Sequence, residues 1–435
     1  MTSPRWKRFL GLSLWLAGLA GGSASGEYFA VCDAGSTGTR LYVFLLDAEG
    51  GKAKSVFVKK RKPGLSSYRA NPDDAVPPLL ELLKEGAATI PEERRAKVPL
   101  LIYGTAGMRL LPAGEQSLIW STLHAQLAGA KDFPFDQGAF QARTVSGDEE
   151  GLWAVLATNF LTGRMGHDLL SHGQGKPLGL MDLGGSSTQI GIPSPVAAEK
   201  GINFSSGVLV KSYLGFGMTH IQHKVRSKFG SDLSCYMPGS QTKEEGPLQG
   251  DRFGDAPNCR KLIADLLQQE STSCLAESQS ACLGDLKGNQ ESSRAIEGDV
   301  DFYGVSGLTY VMDFVRWWLQ NSEQKHPFLD TYPKPTLNEL QSAVDLMCSG
   351  QYQRIKDWTD QKSMRHQFTD YDNLPFRCFQ ANYILVLLGE VYGFAKDSRK
   401  VTFALEVDGE DLEWPLGALL HGRSQPGQAE ATGEL

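Results

Sequence analysis

Two segments of the 435-residue chain share one pattern: an apolar run, an aspartate, a turn rich in Gly, Ser and Thr, and a second apolar run. They span residues 28–47 (YFAVCDAGSTGTRLYVFLLD) and 178–192 (LGLMDLGGSSTQIGI). β-Branched and aromatic residues on both sides of a glycine-containing turn are typical of β-hairpins. Asp33 and Asp182 each open one half of the chain, so the sequence predicts a duplicated α/β lobe.

Both turns carry residue types that bind phosphate. Backbone N–H groups of a glycine-containing turn can point together into a concavity that accepts phosphate oxygens, and hydroxyl groups add donors. Either turn alone is equally compatible with a surface hairpin, but two facing copies would hold one phosphate chain from both sides. The predicted phosphate-binding residues are Gly35, Ser36, Thr37, Gly38 and Thr39 in the first turn and Gly184, Gly185, Ser186 and Ser187 in the second.

Asp33 and Asp182 stand at the ends of the strands that lead into these turns. Hard divalent cations prefer oxygen ligands, and Mg²⁺ usually keeps several of its waters. We therefore expect the two aspartates to position one Mg²⁺ or Ca²⁺ beside the phosphates.

The N-terminus has the three-part pattern of a secretory signal peptide. A basic start with Arg5, Lys7 and Arg8 precedes an apolar run at 10–20, and small residues follow at 21–26. The apolar run is shorter than the ~20 residues of a membrane-spanning helix. We expect a signal peptide at 1–26, cleaved rather than kept as an anchor, and no stable membrane span after its removal. The protein would be secreted, or lie in the lumen of the secretory pathway or in the periplasm.

The cysteines favour the same compartments. One of the seven, Cys32, lies alone in the first predicted strand, where we expect a buried free thiol. The other six form an even set in the second half of the chain, which is typical of disulfides in exported proteins. The connectivity that we favour, among several that are possible, is sequential. It pairs Cys235 with Cys259, Cys274 with Cys282 and Cys348 with Cys378.

The chain is acidic, with 50 Asp and Glu against 43 Lys and Arg and a formal net charge of −7. Such a surface repels nucleic-acid backbones, so we expect no nucleic-acid partner. A nucleotide can still bind through local donors and a metal ion. We predict a monomer.

Six stretches resemble, in chain order, conserved regions of the nucleoside triphosphate diphosphohydrolase (apyrase) family, in its soluble secreted form. They are DAGSTGTR at 33–40, YGTAGMRLL at 103–111, SGDEEGLW at 146–153, MDLGGSSTQI at 181–190, CFQANYILVLL at 378–388 and EWPLGALL at 413–420. The resemblance implies two actin- and sugar-kinase-like (ribonuclease H-like) α/β lobes with the active site in the cleft between them. It also implies metal-dependent, in-line attack of water on the terminal phosphate of nucleoside tri- and/or diphosphates.

The resemblance assigns roles to individual residues. Glu150 matches the family's general base, although the residues alone favour a solvated glutamate at the first turn of a helix. Thr105 and Gln189 match positions near the metal and the attacking water. Tyr310 matches a position that can stack on the nucleobase, and plain packing explains it equally well. Arg109 is more readily the partner of a carboxylate than a phosphate clamp.

The resemblance also suggests boundaries. Lobe I would comprise residues 27–147 and 397–420, and lobe II residues 148–396 with a disulfide-tied excursion at 231–300. Residues 421–435 have no apolar pattern and are expected to form a loose tail. The family usually has Trp where Val155 stands, and often an aromatic residue where Arg377 stands, so the packing behind Glu150 and the base selectivity are open.

Two other functions remain open. One is an exopolyphosphatase on the same scaffold, which would need a long basic channel that this acidic chain lacks. The other is a non-catalytic, secreted nucleotide-binding protein. The presence of Glu150, Asp33 and Asp182 argues against a loss of catalysis.

Overall fold

A computed structural model of the chain describes residues 26–47, 51–230, 232–277 and 300–424. Lobe I is built on a five-stranded sheet in the order β3-β2-β1-β4-β5. Its central strand β1 pairs antiparallel with β2 and parallel with β4. The strands are β1 (Gly26–Ala34), β2 (Thr39–Asp47), β3 (Ala53–Arg61), β4 (Leu100–Gly104) and β5 (Phe140–Thr144).

Lobe II repeats this sheet in the order β8-β7-β6-β11-β12, with the same strand directions about its centre. Its strands are β6 (Gly179–Leu183), β7 (Ser187–Pro193), β8 (Val208–Leu214), β11 (Phe302–Ser306) and β12 (Val401–Phe403). Two short hairpins are formed by β9 (Gln241–Thr242) with β10 (Gly246–Pro247) and by β13 (Glu406–Val407) with β14 (Glu410–Asp411). The predicted class, two duplicated α/β lobes, is confirmed.

Helices cover the faces of both sheets. Those up to residue 277 are α1 (Val76–Ala87), α2 (Glu92–Arg95), α3 (Ala106–Arg109), α4 (Ala113–Ala128), α5 (Gly147–Leu161), α6 (Met218–Phe229) and α7 (Ala256–Glu277). The later ones are α8 (Gly307–Asn321), α9 (Pro327–Thr331), α10 (Leu337–Cys348), α11 (Tyr352–Asp360), α12 (Arg377–Val386) and α13 (Trp414–Arg423). A π-helical turn, Leu387–Val391, continues α12. Short 3-10 helices lie at Leu65–Tyr68, Pro72–Ala75, Pro195–Ala198, Phe204–Gly207 and Leu374–Phe376.

The apolar residues form three clusters. One lies between the lobe I sheet and helices α1 and α4, where Leu79, Leu82 and Leu83 follow the helical spacing of a buried face. The largest fills lobe II among α8, α10 and α12. The third includes α5 and α13 together with residues of both sheets, such as Val31 and Leu180. These two helices therefore join the lobes behind the cleft.

The C-terminal segment contacts both lobes. Val401–Phe403 pairs with β11 in the lobe II sheet, whereas α13 packs against α5 and β1. Helix α13 continues to Arg423, and residues 425–435 lie outside the described part of the chain. Within 231–300, α7 packs against α12 and buries Ile263 in the lobe II core. Apart from Gly26, where β1 begins, the expected signal peptide also lies outside the described residues.

Two of the three expected disulfides are present, Cys235–Cys259 and Cys348–Cys378. The third would involve Cys282 and the side chain of Cys274, which are outside what the structure describes. Cys32 is a buried free thiol, as expected. Disulfides are typical of extracytoplasmic proteins.

Across residues 26–47, 51–230, 232–277 and 300–424, no helix combines the length and the apolar character of a membrane span.

Candidate active site

A cleft runs between the lobes, and the ends of both β-hairpins open into it. Most of the residues predicted for phosphate, metal and catalysis line it. These are Asp33, Gly35, Ser36, Thr37, Gly38, Thr105, Glu150, Asp182, Gly184, Gly185, Ser186, Ser187 and Tyr310. Thr39 and Gln189 do not line the cleft and are buried behind it.

The two turns approach each other closely. A Cβ atom at Gly185 would lie 3.1 Å from Ser36 Oγ and 3.5 Å from Thr37 Cγ2, so the turns are nearly in van der Waals contact. The N-terminus of α6 braces the second turn, because Met218 N donates to Gly184 O at 2.9 Å. The second turn is thus held in place by a backbone hydrogen bond, as a preformed anion site requires.

The two hairpins have matching registers. Asp33 is paired with Arg40 across the first hairpin, and Asp182 with Gln189 across the second. The two aspartates therefore occupy equivalent positions in the two lobes. Their cross-strand partners differ in charge, because Arg40 is cationic and Gln189 is neutral.

Each aspartate carries a buried carboxylate oxygen, Oδ1, without a hydrogen-bond partner. Burial, together with Glu150 and Glu413, raises the pKa of Asp33 to about 8. Burial, with Glu413 and Glu150, likewise raises the pKa of Asp182 to about 7. Unpaired buried oxygens with raised pKa values are the environment that a divalent cation stabilises.

The donor set fits a partly hydrated cation. Within the described ranges, no cluster of three or more His, Cys, Asp or Glu side chains is arranged to hold a metal. Two carboxylates and water suit Mg²⁺, which dehydrates reluctantly. The hydroxyl group of Ser306 donates a hydrogen bond to the Asp182 carboxylate. The backbone of Ser306 has an unusual positive φ of 52°. Strained backbone of this kind clusters at functional sites.

Glu150 lies on the first turn of α5 and is 8% exposed. Its neighbour Glu149 forms a capping box with Ser146, which fixes the start of the helix and directs Glu150 into the cleft. Arg109 Nη2 donates to Glu150 Oε2 at 2.9 Å. Burial raises the pKa of Glu150, and the Arg109 guanidinium opposes this effect.

Arg109 and Gln189 link Glu150 to the second turn. Gln189 Nε2 donates to Glu150 Oε2 at 3.2 Å and to Ser187 Oγ at 2.9 Å. Arg109 Nη2 also reaches Ser187 Oγ, at 3.3 Å. Arg109 is therefore a carboxylate partner, and the carboxylate is Glu150 itself. Thr105 precedes α3 and is 5% exposed, with its backbone N–H bonded to Ala34 O at the end of β1.

Sequence reasoning missed the cations and the additional acid of the cleft. Arg40 Nη1 donates to Glu413 Oε1 at 2.9 Å and to the Tyr42 hydroxyl at 2.8 Å. Lys60 Nζ donates to Thr37 Oγ1 in the first turn at 3.1 Å. Arg40 and Glu413 each fall inside a quoted motif, yet their pairing joins residues from opposite ends of the chain.

One wall of the cleft is aromatic. Tyr310 packs against Phe368 with ring centroids 4.9 Å apart, and both rings line the cleft. Behind them, Arg377 is buried and donates to Phe368 O at 2.7 Å and to Thr369 Oγ1 at 2.7 Å. Arg377 therefore supports this wall from below. Trp153, near the position where the family has its tryptophan, stacks on Tyr103 at 5.3 Å and packs against Trp414.

The duplicated sheets and the cleft between them define a two-lobed α/β fold of the actin type. The chain belongs to the GDA1/CD39 (nucleoside phosphatase) family, whose model matches residues 22–427. It is therefore a hydrolase of the group that includes the nucleoside triphosphate diphosphohydrolases and apyrases.

Named relatives span most of the chain. Ectonucleoside triphosphate diphosphohydrolase 7 of Pongo abelii is 26% identical, over 91% of this chain and 72% of its own length. Nucleoside-diphosphatase mig-23 of Caenorhabditis elegans is 25% identical, over 91% and 77%. Probable apyrase 6 of Arabidopsis thaliana is 27% identical, over 96% and 76%.

Solved structures share the fold. The crystal structure of nucleoside triphosphate hydrolases from Neospora caninum superposes with a TM-score of 0.59 at 16% identity, covering 91% of this chain and 92% of that one. An exopolyphosphatase-like protein superposes with a TM-score of 0.51 at 15% identity, covering 92% and 98%. At these identities the likeness concerns the fold alone.

Proposed function

We propose that the protein hydrolyses the terminal phosphate of nucleoside tri- and diphosphates by direct, in-line attack of water. The observation that supports this most strongly is the position of Glu150: a buried carboxylate that faces the same cleft as two phosphate-type turns. Phosphoryl transfer needs chiefly positioning and charge stabilisation, and no covalent nucleophile. The site matches those needs.

In this proposal Glu150 accepts a proton from the attacking water. Its burial favours proton uptake, because the neutral form is easier to bury than the anion. Arg109 and Gln189 hold Oε2, which keeps the carboxylate in one orientation. Gln189 would thereby act on the water indirectly, through Glu150 and Ser187, while Thr105 lines the cleft and could contact the water itself.

The two turns would bind the phosphates. Gly35–Gly38 and Gly184–Ser187 offer backbone N–H groups and hydroxyls from opposite sides of the cleft, while Thr39 would support the first turn from behind. Asp33 and Asp182 would hold Mg²⁺ or Ca²⁺, largely through water, and such an ion neutralises phosphate charge when bound. We assign the nucleobase to the aromatic wall at Tyr310.

We further propose that the protein acts outside the cytoplasm, as a monomer. Its disulfides support a secreted, lumenal or periplasmic location. In any of these locations, nucleotides rather than nucleic acids would be its substrates.

The test is phosphate release by the oxidised protein from ATP, ADP, UDP, GDP and polyphosphate, with Mg²⁺, Ca²⁺ or EDTA. Glu150→Gln is expected to lower kcat about 10²–10⁴-fold, the usual contribution of a general base, and to keep nucleotide binding. Glu149→Gln is the matched control. It removes the same charge one residue away, and glutamine still completes a capping box.

Equal activity of the two glutamate variants would contradict the role of Glu150. Release from polyphosphate alone would move the protein to the exopolyphosphatase class. Nucleotide binding without release, by the unaltered protein, would mean that the site binds nucleotides without turning them over.

A further inference from the structure

The cleft contains four cationic side chains, and three of them have partners that account for them. Arg40 forms an ion pair with Glu413 at 2.9 Å. Lys62 lies 4.0 Å from Asp370 across the cleft. Arg377 is buried at the aromatic wall, where neutral oxygens of α12 and of the 368–369 segment accept its hydrogen bonds.

Lys60 is the fourth. Among the described residues its ammonium group forms no ion pair, and its hydrogen bond goes to Thr37 Oγ1 at 3.1 Å. Asp33 acts on it electrostatically from a greater distance. The side chain is exposed toward the cleft, so a ligand can reach it.

The position of Lys60 follows from the sheet. Successive residues of a strand point to opposite faces, and Lys59 points away from the cleft to pair with Glu85 at 2.6 Å. Lys60 is paired with Arg40 across β2 and β3, which carries it toward the first turn. A Cβ at Gly38 would lie 2.4 Å from Lys60 Cε, so the lysine stem lies directly over this glycine.

The hydrogen bond with Thr37 has a chemical consequence. A lysine ammonium can only donate, so the Thr37 oxygen must accept, and its own O–H is left to donate elsewhere. Thr37 lines the cleft, where a phosphate oxygen would be the acceptor. Lys60 thus adds a positive charge to the turn and sets the direction of a neighbouring donor.

We propose that Lys60 is a phosphate-binding residue that sets the affinity of the first turn for the polyphosphate chain of the substrate. The inference rests on the proposed function, because it concerns the same site. Its ligand class is any nucleoside di- or triphosphate, bound through non-bridging phosphate oxygens rather than through the base.

The test compares Lys60→Gln, Lys60→Arg and Lys59→Gln in steady-state hydrolysis of ATP and ADP. Lys60→Gln is expected to raise KM about tenfold, as for loss of a hydrogen bond to a charged group, with kcat within about twofold. Lys60→Arg should retain most of the affinity because it keeps the charge. Lys59→Gln, with the same change of net charge on the opposite face, should leave KM unchanged.

Binding of ATP to the Glu150→Gln protein, with and without Lys60→Gln, gives a second readout that needs no turnover. It should weaken about tenfold, and its dependence on salt should become shallower. Equal KM for Lys60→Gln and Lys59→Gln, or an equal loss in Lys60→Arg, would overturn the inference while leaving the hydrolase intact. Absence of metal-dependent nucleotide hydrolysis in the unaltered protein would instead reject the proposed function.

Discussion

The Glu150 carboxylate is subject to two opposing effects. Burial favours its protonated form, and the Arg109 guanidinium favours its charged form. A general base must be deprotonated at the working pH yet basic enough to accept a proton. The balance between burial and the Arg109 guanidinium therefore sets the pH range in which Glu150 can act.

Replacing Arg109 tests this balance. Arg109→Gln removes the effect that lowers the pKa of Glu150, so that pKa rises and the acidic limb of the kcat/KM profile moves to higher pH. On that limb we expect activity to fall about tenfold or more, because a hydrogen bond to a charged group contributes about 1.5–3 kcal/mol. The measurement is kcat/KM for ATP from pH 5 to 9.

A control is available one residue away from Glu150. Arg143 pairs with Glu149 at 2.7 Å, so Arg143→Gln removes a similar ion pair without touching Glu150. Its pH profile should match that of the unaltered protein. An unchanged acidic limb in Arg109→Gln would show that Glu150 does not control the rate.

The sequence could identify the residues whose signals are local. Asp33 and Asp182 stand at strand ends before glycine turns, and Glu150 stands at a helix start. The Arg40–Glu413 pair and the contact of Lys60 with Thr37 were not visible, because they depend on how distant strands are brought together. No spacing in the chain encodes them.

Among the secondary-structure elements, α5 and α13 form the closest helix contact of the site. A Cβ at Gly417 would lie 1.8 Å from the backbone oxygen of Trp153, so no side chain fits there. Glycine costs about 1 kcal/mol relative to alanine within a helix. At Gly417 the absence of a side chain lets the backbones of α5 and α13 approach each other behind Glu150.

Gly417→Ala should therefore destabilise the protein in spite of the better helix propensity of alanine. We expect a loss of about 1–3 kcal/mol in the free energy of unfolding, as for an overpacked core, together with reduced kcat through displacement of α5. The matched control is Gly114→Ala in α4, where a Cβ meets nothing within 4 Å. Denaturant unfolding of both variants is the measurement, and similar stabilities would contradict this account.

The two hairpins were predictable because glycine turns and β-branched flanks act locally. The start of α8 was not. The residues Phe302–Ser306 form a strand, and the helix begins only at Gly307. The strand is stabilised by pairing with β6 and β12, which are remote in sequence. At Ser306 the chain turns from the strand into the helix with a positive φ, which a serine in the sequence does not predict.

At the scale of the whole molecule, the two lobes present acids to each other across the cleft. Asp33 and Asp182 have raised pKa values of about 8 and about 7, against 3.8 for an unperturbed aspartate. The metal-free folded protein therefore binds more protons than the unfolded chain between about pH 4 and 8. The contribution of these two carboxyl groups to the stability of the folded protein falls as the pH rises through that range.

We expect the melting temperature in EDTA to fall from pH 5 to pH 8.5, and Mg²⁺ or Ca²⁺ to stabilise the protein most at the higher pH. In Asp33→Asn/Asp182→Asn the fall with pH should be shallower and the effect of the cations smaller. The measurement is thermal unfolding at several pH values with and without the cations. An identical pH dependence in the double variant would show that Asp33 and Asp182 do not cause the fall in stability.

The placement of α13 has a consequence for biosynthesis. Lobe I is complete only when Trp414–Arg423 packs on β1 and α5, and Arg40 finds its acid at Glu413. At about 5–20 residues per second, the ribosome delivers these residues tens of seconds after the first sheet. During that interval the nascent first half exposes the apolar surface that α13 will cover. Its final folding must await the synthesis of α13, so a stop codon before Trp414 would damage the N-terminal lobe.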